Sequence, residues 1–310
     1  MLSEAARKGP FIRHCPCSPA SVPCGYFNLN LQSGCPFDCS YCILQAYLDD
    51  KDRPVFRSNW DSLSQELTAF LAANREVRIG TGELSDSLAY EAAHPGAARI
   101  IALFRDFPAA LFEFKTKSDA VRSLLEVKEP PGNIVVSWSL NPASVIRREE
   151  RLTPSLSCRL RALAAVQGKG YRVGIHLDPL LLFPGWKEHY RGLIRSLARV
   201  VRPGRIAWWS LGALRFPPEL KDHIFRHKGS QLFWGELVAG RDGKYRYITP
   251  LRLELFRFVR DELRAAVSRD LPLYLCMEDR FTWGEILPER KPEAEAINRY
   301  LYDSALDARG

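Results

Sequence analysis

The chain has 310 residues, 46% of them hydrophobic, and a formal net charge of +8. These values are typical of a globular protein with a substantial core, built as one large domain or two small ones. No apolar run approaches the roughly 18 residues of a membrane span, and the first residues lack the apolar core of an export signal. We therefore expect a cytoplasmic protein with no membrane partner. In that compartment, eight cysteines favour metal or redox chemistry over disulfides.

Strand-like and helix-like segments alternate along the chain from about residue 26 onward. Seven apolar segments are predicted to be strands: 26–31, 77–82, 111–117, 134–141, 171–180, 206–214 and 273–277. Five segments between them are predicted to be helices: 63–73, 119–127, 154–167, 186–200 and 251–267. This alternation predicts an α/β fold with a parallel sheet, curled or wound. Residues 1–25 and 216–250 are predicted to be irregular.

Three cysteines with the spacing CxxxCxxC follow the first predicted strand, at Cys35, Cys39 and Cys42. Three thiolates can hold three irons of a [4Fe-4S] cluster and leave the fourth iron open to a small molecule. The alternatives are a structural zinc loop or three unrelated buried thiols. A closed zinc site would need a fourth ligand at matching spacing, and no second CxxC or HxxxH follows. The spacing therefore favours the cluster, and it resembles the cluster loop of radical S-adenosylmethionine (SAM) enzymes.

Polar residues stand at the ends of four later strands, where parallel α/β folds collect their chemistry. The polar end of any one strand would also fit a capping residue or a surface turn. Four such strand ends on the same side of the sheet as one cysteine loop predict a polar cavity. The polar residues are Glu83, Ser85 and Asp86 after the second strand, Lys115 and Lys117 after the third, Ser139 and Asn141 after the fourth, and His176 and Asp178 after the fifth.

The cysteine loop, together with the strings GTGELSDSL, FKTKSD, SWSLNP and LYLCMED, resembles the spore photoproduct lyase family of radical SAM enzymes. The resemblance covers roughly residues 24–285. It implies a partial (β/α)6 TIM barrel at 26–215, an N-terminal arm at 1–25 and a C-terminal region at 216–310 that completes the barrel. It also implies a [4Fe-4S] cluster, reductive cleavage of SAM to a 5′-deoxyadenosyl radical, and a low-potential electron donor of flavodoxin or ferredoxin type.

The same resemblance suggests roles for the polar residues of the predicted cavity. Tyr41 would lie near the adenine of SAM. Lys117 and Ser139 would contact the methionine or ribose part, with Ser85 and Asn141 as further candidates. A cation suits the SAM carboxylate, because charge-assisted hydrogen bonds are the stronger kind. The alternative for Lys117 is a surface lysine beside a helix.

Two positions depart from the family pattern, at Glu83 and Ile43. The lyase itself has a cysteine at the first position, which returns a hydrogen atom to the product radical, and a tyrosine at the second. A carboxylic acid O–H bond is too strong to donate hydrogen to a carbon radical, so Glu83 cannot take over that role. Glu83 instead matches the acidic residue by which many radical SAM enzymes hold the amino group of SAM, and it is our candidate catalytic residue. The sequence therefore predicts a relative of the lyase and not the lyase itself.

The remaining cysteines allow several interpretations. Cys15, Cys17 and Cys24 could bind an auxiliary metal or cluster, supply a hydrogen atom, or be incidental. Cys158 and Cys276 fall in a predicted helix and a predicted strand, and we expect both to be core thiols.

Residues 201–260 are strongly basic, with twelve Lys or Arg against five Asp or Glu, and carry aromatic residues such as Trp208, Trp209 and Trp234. This composition predicts contact with DNA or RNA, as in DNA repair. The alternative is a solvated surface with buried aromatics. Two other functions stay open: a radical SAM enzyme acting on a peptide or small molecule, and a non-catalytic iron–sulfur or zinc protein that binds nucleic acid. The twelve cations are Arg202, Arg205, Arg215, Lys221, Arg226, Lys228, Arg241, Lys244, Arg246, Arg252, Arg257 and Arg260.

Overall fold

The computed structural model describes residues 3–7, 9–48, 53–226 and 230–306. The strands within these ranges are β1 Ser3–Ala5, β2 Ile12–His14, β3 Tyr26–Leu29, β4 Gln32–Ser33, β5 Asp38–Cys39, β6 Val55–Arg57, β7 Arg78–Thr81, β8 Leu111–Thr116, β9 Ile134–Ser139, β10 Glu150–Arg151, β11 Arg172–Leu180, β12 Ile206–Ala213, β13 Arg215–Phe216, β14 Leu237–Ala239, β15 Tyr245–Tyr247 and β16 Leu273–Leu275. The helices are α1 Leu44–Tyr47, α2 Trp60–Ala73, α3 Ala97–Arg105, α4 Arg122–Glu126, α5 Ala143–Glu149, α6 Leu156–Lys169, α7 Trp186–Ala198, α8 Leu220–Arg226, α9 Thr249–Ala266, α10 Arg280–Ile286 and α11 Ala294–Leu306.

The largest sheet contains eight strands in the order β16, β12, β11, β9, β8, β7, β3, β2. Seven of them run parallel, and β2 pairs antiparallel with β3 at one edge. Helices connect successive parallel strands, and α6, α9 and α11 pack against the central strands of the sheet. All six residues of β9 and all eight of β12 are buried as a result, which is why these strands are nearly continuous apolar runs in the sequence.

One buried carboxylate, that of Glu113 on β8, shows that this sheet is curled. It accepts hydrogen bonds from Tyr26 Oη at 2.7 Å, from His176 Nε2 at 2.8 Å, from Trp208 Nε1 at 3.1 Å and from the hydroxyl of Ser137. These donors lie on β3, β11, β12 and β9. In a flat sheet with strands about 4.8 Å apart, β3 and β12 would be about 24 Å apart, which no single carboxylate spans. The sheet therefore forms a half-barrel, as the predicted partial TIM barrel requires.

Two glycines leave the space that this arrangement needs. A Cβ atom on Gly80 would collide with the Tyr26 hydroxyl and the Glu113 carbonyl oxygen. A Cβ atom on Gly174 would collide with the Ser137 hydroxyl and the Trp208 indole. Both glycines lie on barrel strands, where a side chain would normally fill the interior. Their small size lets the polar side chains converge on Glu113.

The predicted strands of the barrel are present, and 273–275 adds a strand beside β12. The prediction of irregular structure was wrong in two places. Within 1–25, residues 3–5 form β1 beside β6, and residues 12–14 form β2 and extend the main sheet. Residues 216–250 contain α8 and most of an antiparallel sheet in the order β13, β15, β14. These strands have two or three residues each, too few to give a period-2 pattern. None of the described helices is long and apolar enough to span a bilayer.

The Glu113 network leads to a prediction about stability and its dependence on pH. Burial alone would raise the pKa of Glu113, but the charge on His176 and the hydrogen bonds from His176, Ser137 and Tyr26 lower it to about 2. A carboxyl group with a lowered pKa in the folded state stabilises the fold above its unfolded-chain pKa of 4.5 and loses that effect as the pH falls towards 2. We expect Glu113→Gln to lower the free energy of unfolding at pH 7 by about 2–4 kcal/mol in urea titrations.

The variant should also lose less stability than the parent between about pH 5 and pH 2, because its amide does not titrate. The matched control is Glu126→Gln, at an exposed carboxylate paired with the exposed Arg122, which should change stability by less than about 0.5 kcal/mol. Parallel pH profiles for the parent and Glu113→Gln would assign the acid sensitivity to other groups.

Candidate active site at the carboxyl ends of the strands

A cavity of about 350 Å³ opens where the parallel strands end. The cysteine loop lines it, together with residues at or just after the carboxyl ends of β7, β8, β9 and β11. Glu113 and His176 also line it, so the network inside the barrel reaches its base. The cavity therefore lies at the edge of the sheet where α/β barrels bind their ligands.

All three cysteines of the CxxxCxxC loop line this cavity, and none forms a disulfide. Cys35 and Cys39 are buried and Cys42 is half-buried. The amide of Cys42 donates to the carbonyl of Cys39 at 3.1 Å, which tightens the loop around its thiols. Burial raises the pKa of Cys35 to about 12 and that of Cys39 well above its ordinary value. These thiols therefore hold their protons unless a metal displaces them.

Two consecutive carboxylates, Glu149 and Glu150, hold the cysteine loop in place. Strand β5 of the loop pairs antiparallel with β10, so that Cys39 lies opposite Glu150. Ser40 donates its amide to the Glu149 carbonyl at 2.8 Å and its hydroxyl to the Glu149 carboxylate at 2.6 Å. Tyr41 Oη donates to Glu150 Oε1 at 2.5 Å. The sequence analysis missed both residues.

The Glu150 carboxylate is fully buried and is compensated from two sides. Arg159 Nη2 lies 2.7 Å from Glu150 Oε2, and Asn141 Nδ2 donates to Glu150 Oε1 at 2.9 Å. Burial raises the pKa of Glu150, but the charges of Arg159 and Lys117 outweigh that effect and lower it. Glu150 is therefore ionised beneath the cysteine loop.

Lys117 faces the cavity from the end of β8, with Nζ 5.7 Å from the centre of the Tyr41 ring. Asp86 fixes its backbone, because Asp86 Oδ2 accepts from the Lys117 amide at 2.5 Å and Asp86 Oδ1 accepts from Thr116 Oγ1 at 2.5 Å. Burial alone would lower the pKa of Lys117, but Cys39, Glu150 and Asp86 raise it. Lys117 is therefore a half-buried cation at the cavity and not a surface lysine.

Glu83 and Ser85 line the same cavity from the segment after β7. Burial raises the pKa of Glu83, although hydrogen bonds with Asn30 and Asn28 oppose the shift. Ser85 Oγ accepts from Gln32 Nε2 at 3.0 Å. The amide of Gly34 donates to the Leu84 carbonyl at 2.9 Å, so this segment and the cysteine loop support each other.

The structure brings most of the predicted site residues to the cavity wall: Cys35, Cys39, Tyr41, Cys42, Glu83, Ser85, Lys117 and Ser139. Asn141 lies behind that wall and is 2% exposed. Its amide nitrogen donates to Glu150, and its oxygen accepts from Tyr190 Oη at 3.2 Å. Asn141 therefore orients Glu150 in this structure, and its predicted contact with SAM stays a prediction.

Comparison with known proteins agrees with this geometry. The chain matches the sequence model of spore photoproduct lyase over residues 12–216. The chain belongs to the spore photoproduct lyase family. This confirms the predicted family, and with it membership of the radical SAM superfamily.

One relative of this chain is the spore photoproduct lyase of Geobacillus sp. (strain Y412MC61). The two are 30% identical over 191 residues, which cover 58% of this chain and 53% of that protein. The Bacillus subtilis (strain 168) lyase is 27% identical over 182 residues, 57% of this chain and 52% of that protein. The chain thus spans about half the length of the curated relatives it matches.

Solved structures share the fold. A spore photoproduct lyase complexed with dinucleoside spore photoproduct has a TM-score of 0.75 at 23% identity, over 88% of this chain and 81% of that one. Streptococcus suis SuiB bound to S-adenosylmethionine has a TM-score of 0.51 at 13% identity, over 87% of this chain and 54% of that one. These likenesses confirm the partial TIM barrel.

The cavity is also lined by thiols outside the cysteine loop, those of Cys15, Cys24 and Cys276. Cys276, expected to be a core thiol, packs partly buried against the main core and also lines the cavity, with Arg215 Nη2 3.7 Å from its Sγ. Cys158 is half-buried in α6 and does not join the core, so the expectation of a core thiol was wrong there. In the described part of the chain, no group of three or more His, Cys, Asp or Glu side chains is arranged so that it could hold a metal ion. The auxiliary metal predicted at Cys15, Cys17 and Cys24 therefore has no support.

The basic stretch 201–260 is partly neutralised within the fold. Five of its arginines form ion pairs with carboxylates: Arg215 with Asp178, Arg246 with Asp242, Arg252 with Glu278, Arg257 with Glu285 and Arg260 with Asp261. Trp208 and Trp209 are buried in β12 and cannot stack on a nucleic acid, whereas Trp234 is 53% exposed. Lys228 lies outside the described residues. The cations that reach the cavity are Arg215 and Lys244, together with Lys115 and Lys117 of β8 and the segment after it.

The position of Glu150 predicts how the cysteine loop responds to mutation. Glu150→Gln should loosen the loop, because it leaves Arg159 without its anion and weakens the bond to Tyr41. We expect iodoacetamide to modify Cys39 at least about tenfold faster than in the parent, as the loss of one charge-assisted hydrogen bond implies. Mass spectrometry of the cysteine peptides measures the rate.

Cys158, in a helix of the outer layer, reports on the same sample and should react at an unchanged rate. Tyr41→Phe removes only one hydroxyl and is not expected to unfold the protein, so it serves as the mild variant. It should give a smaller increase in the alkylation rate of Cys39. Equal Cys39 rates in all three proteins would mean that the two carboxylates do not hold the loop.

Proposed function

We propose that this protein is a radical SAM enzyme that binds a [4Fe-4S] cluster through Cys35, Cys39 and Cys42 and cleaves SAM reductively. The observation that carries the proposal is that the three thiols of one tight loop face the same cavity as a cation, Lys117, and a carboxylate, Glu83. When bound, the cluster would supply the electron that converts SAM to methionine and a 5′-deoxyadenosyl radical. Membership of the family supports this assignment.

The polar residues of the cavity suit the amino-acid end of SAM, which carries one carboxylate and one ammonium group. Lys117 would hold the carboxylate and Glu83 the ammonium group, since both interactions are charge-assisted hydrogen bonds. Tyr41 offers an aromatic face for the adenine, with its hydroxyl already fixed by Glu150. Ser85 and Ser139 would add hydrogen bonds to the ribose or methionine part.

The protein also controls the surroundings of the loop. Phe37 and Leu44 pack with Cys35 and Cys39 in a small apolar cluster apart from the main core. This packing limits the access of water to the thiols and lowers the local dielectric constant, which are the means by which a protein tunes an iron–sulfur site. A low-potential donor of flavodoxin or ferredoxin type would deliver the electron from outside.

For the substrate, we favour a nucleic acid, in a reaction related to DNA repair. Lys115, Lys244 and Arg215 place cations around the cavity, and Arg226 and Arg241 are exposed on neighbouring segments. A related lyase was solved with dinucleoside spore photoproduct. Because Glu83 and Ile43 replace the cysteine and tyrosine of the lyase, we expect a reaction other than spore photoproduct repair.

A peptide substrate is the second candidate, since SuiB, solved bound to the precursor peptide SuiA, shares the fold with a TM-score of 0.53.

The cluster and the SAM site are tested together on protein reconstituted anaerobically with iron and sulfide. We expect about four irons per chain and 5′-deoxyadenosine after reduction with SAM present. Cys35→Ala, Cys39→Ala and Cys42→Ala should each abolish that product. Lys117→Met should keep the iron and weaken SAM binding at least about tenfold, because it removes a charge-assisted contact.

Cys158→Ala is the matched cysteine control and should behave as the parent. Binding of a single zinc with no iron–sulfur absorbance would reject the enzyme in favour of a zinc protein. Unchanged SAM affinity in Lys117→Met would place the SAM carboxylate elsewhere.

The nucleic-acid substrate predicts salt-dependent binding. The triple variant Arg226→Glu, Arg241→Glu, Lys244→Glu should weaken binding to DNA and RNA oligonucleotides. The dependence of affinity on salt should also become less steep, because a variant that makes fewer phosphate contacts releases fewer counterions on binding. Fluorescence anisotropy over a salt series measures both. Uncoupled SAM cleavage should persist.

The control reverses three charges away from the cavity, with Arg75→Glu, Lys128→Glu and Arg161→Glu. Arg75 and Lys128 precede β7 and β9, at the opposite rim of the barrel, and this variant should bind as the parent does. Absence of binding by the parent at low salt would favour the peptide or small-molecule substrate.

A further inference from the structure

The segment Cys15-Pro16-Cys17, just after β2, holds two thiols side by side. The amide of Cys15 donates to the Tyr26 carbonyl at 2.9 Å, which continues the pairing of β2 with β3. The amide of Cys17 donates to the Cys15 carbonyl at 2.8 Å and so closes a three-residue turn around Pro16. The two Sγ atoms are 3.8 Å apart and share a hydrogen bond. The backbone thus brings these thiols together before any bond forms between them.

The turn makes a disulfide between these residues geometrically accessible. A hydrogen bond from residue i+2 to residue i defines a γ-turn, in which the flanking Cα atoms are closer than in extended chain. Disulfides need Cα atoms about 4.4–6.8 Å apart and an S–S distance of about 2.05 Å. Side-chain rotation can supply the remaining approach of the two sulfurs. Pro16 fixes its own φ near the value that this turn uses, so the turn persists in both redox states.

The pair also has the asymmetry that thiol–disulfide exchange uses. The shared hydrogen bond lowers the pKa of Cys17, and the same bond together with burial raises the pKa of Cys15. One sulfur is therefore disposed to be the attacking thiolate while the other keeps its proton. Cys15 lines the cavity, so a small thiol or disulfide can reach the pair from that side.

We infer that Cys15 and Cys17 form a dithiol–disulfide couple at the edge of the cavity, with Cys15 on the cavity side. In its oxidation, the two thiols lose two electrons and two protons, one S–S bond forms in the protein, and one S–S bond of a small disulfide breaks to give two thiols. The reverse reaction consumes a small-molecule dithiol or two monothiols. The reduced form presents a thiol to the cavity and the oxidised form withdraws it. If the proposed function holds, the redox state of this couple decides whether a thiol is available beside the substrate.

The experiment equilibrates the full chain anaerobically in buffers of reduced and oxidised glutathione, stops exchange with acid, alkylates the free thiols and maps the peptides by mass spectrometry. We expect an intrachain link between Cys15 and Cys17, half-formed within the accessible range of glutathione ratios and fully reversed by dithiothreitol. The reconstituted protein and the triple variant Cys35→Ala, Cys39→Ala, Cys42→Ala should give the same ratio. The couple is thereby tested even if the protein holds no cluster.

Two matched variants make the result specific. Cys17→Ser should abolish the link, and the double variant Cys24→Ser, Cys276→Ser should retain it with an unchanged ratio. A dominant link from Cys17 to Cys24 or Cys276 would overturn the inference, as would free thiols at every ratio. Stoichiometric zinc that protects Cys15, Cys17, Cys24 and Cys276 from alkylation would also overturn it and would reveal a metal site instead.

Discussion

The carboxylate of Glu113 joins β3, β9, β11 and β12 to its own strand, and the shape of the sheet depends on that convergence. A buried carboxylate is costly unless its oxygens are satisfied, and here four donors from four strands satisfy it. A flatter sheet would withdraw at least one donor and leave the charge exposed to an apolar interior. The network therefore favours one curvature over others. The curvature brings the strand ends around one cavity, and the residues that line it come from segments more than one hundred positions apart.

A second buried charge, that of Glu150, acts on the cysteine loop and not on the sheet. Replacing a buried ion pair by apolar groups is often neutral or stabilising, so the pair with Arg159 is weak evidence for stability as such. The Glu150 carboxylate matters because of where it lies, between the cysteine loop and Lys117. Glu150 accepts from Tyr41, and its charge helps to keep Lys117 protonated at the cavity. One buried anion therefore orients the aromatic ring, anchors the loop and maintains a cation at the place where an anionic group of a ligand would bind.

The fold and one wall of the site could be predicted from the sequence, because both depend on local patterns. Apolar runs identify buried parallel strands, and the spacing of Cys35, Cys39 and Cys42 is itself a chemical signature. Contacts over long sequence separations were not predictable. Ser40 and the Glu149 carboxylate meet across 109 positions, and in the sequence Glu149 and Glu150 are two charges of an Arg-Arg-Glu-Glu-Arg run that is typical of a solvated helix end. Cys276 follows a fully buried strand, and only the curl of the sheet turns it towards the cavity.

The cavity lining combines an acid, Glu83, with thiols outside the cysteine loop. At this position the family resemblance implies a cysteine in the lyase, whereas this chain has an acid. The hydrogen bond with Cys17 and burial raise the pKa of Cys15, and the Glu83 carboxylate adds to that shift. A carboxylate so placed keeps the neighbouring thiol protonated and remains available to an ammonium group. Outside the cysteine loop, the thiols that line the cavity are those of Cys15, Cys24 and Cys276. A reaction in this cavity would therefore take place beside the thiols of the CxxxCxxC loop and beside these three further thiols.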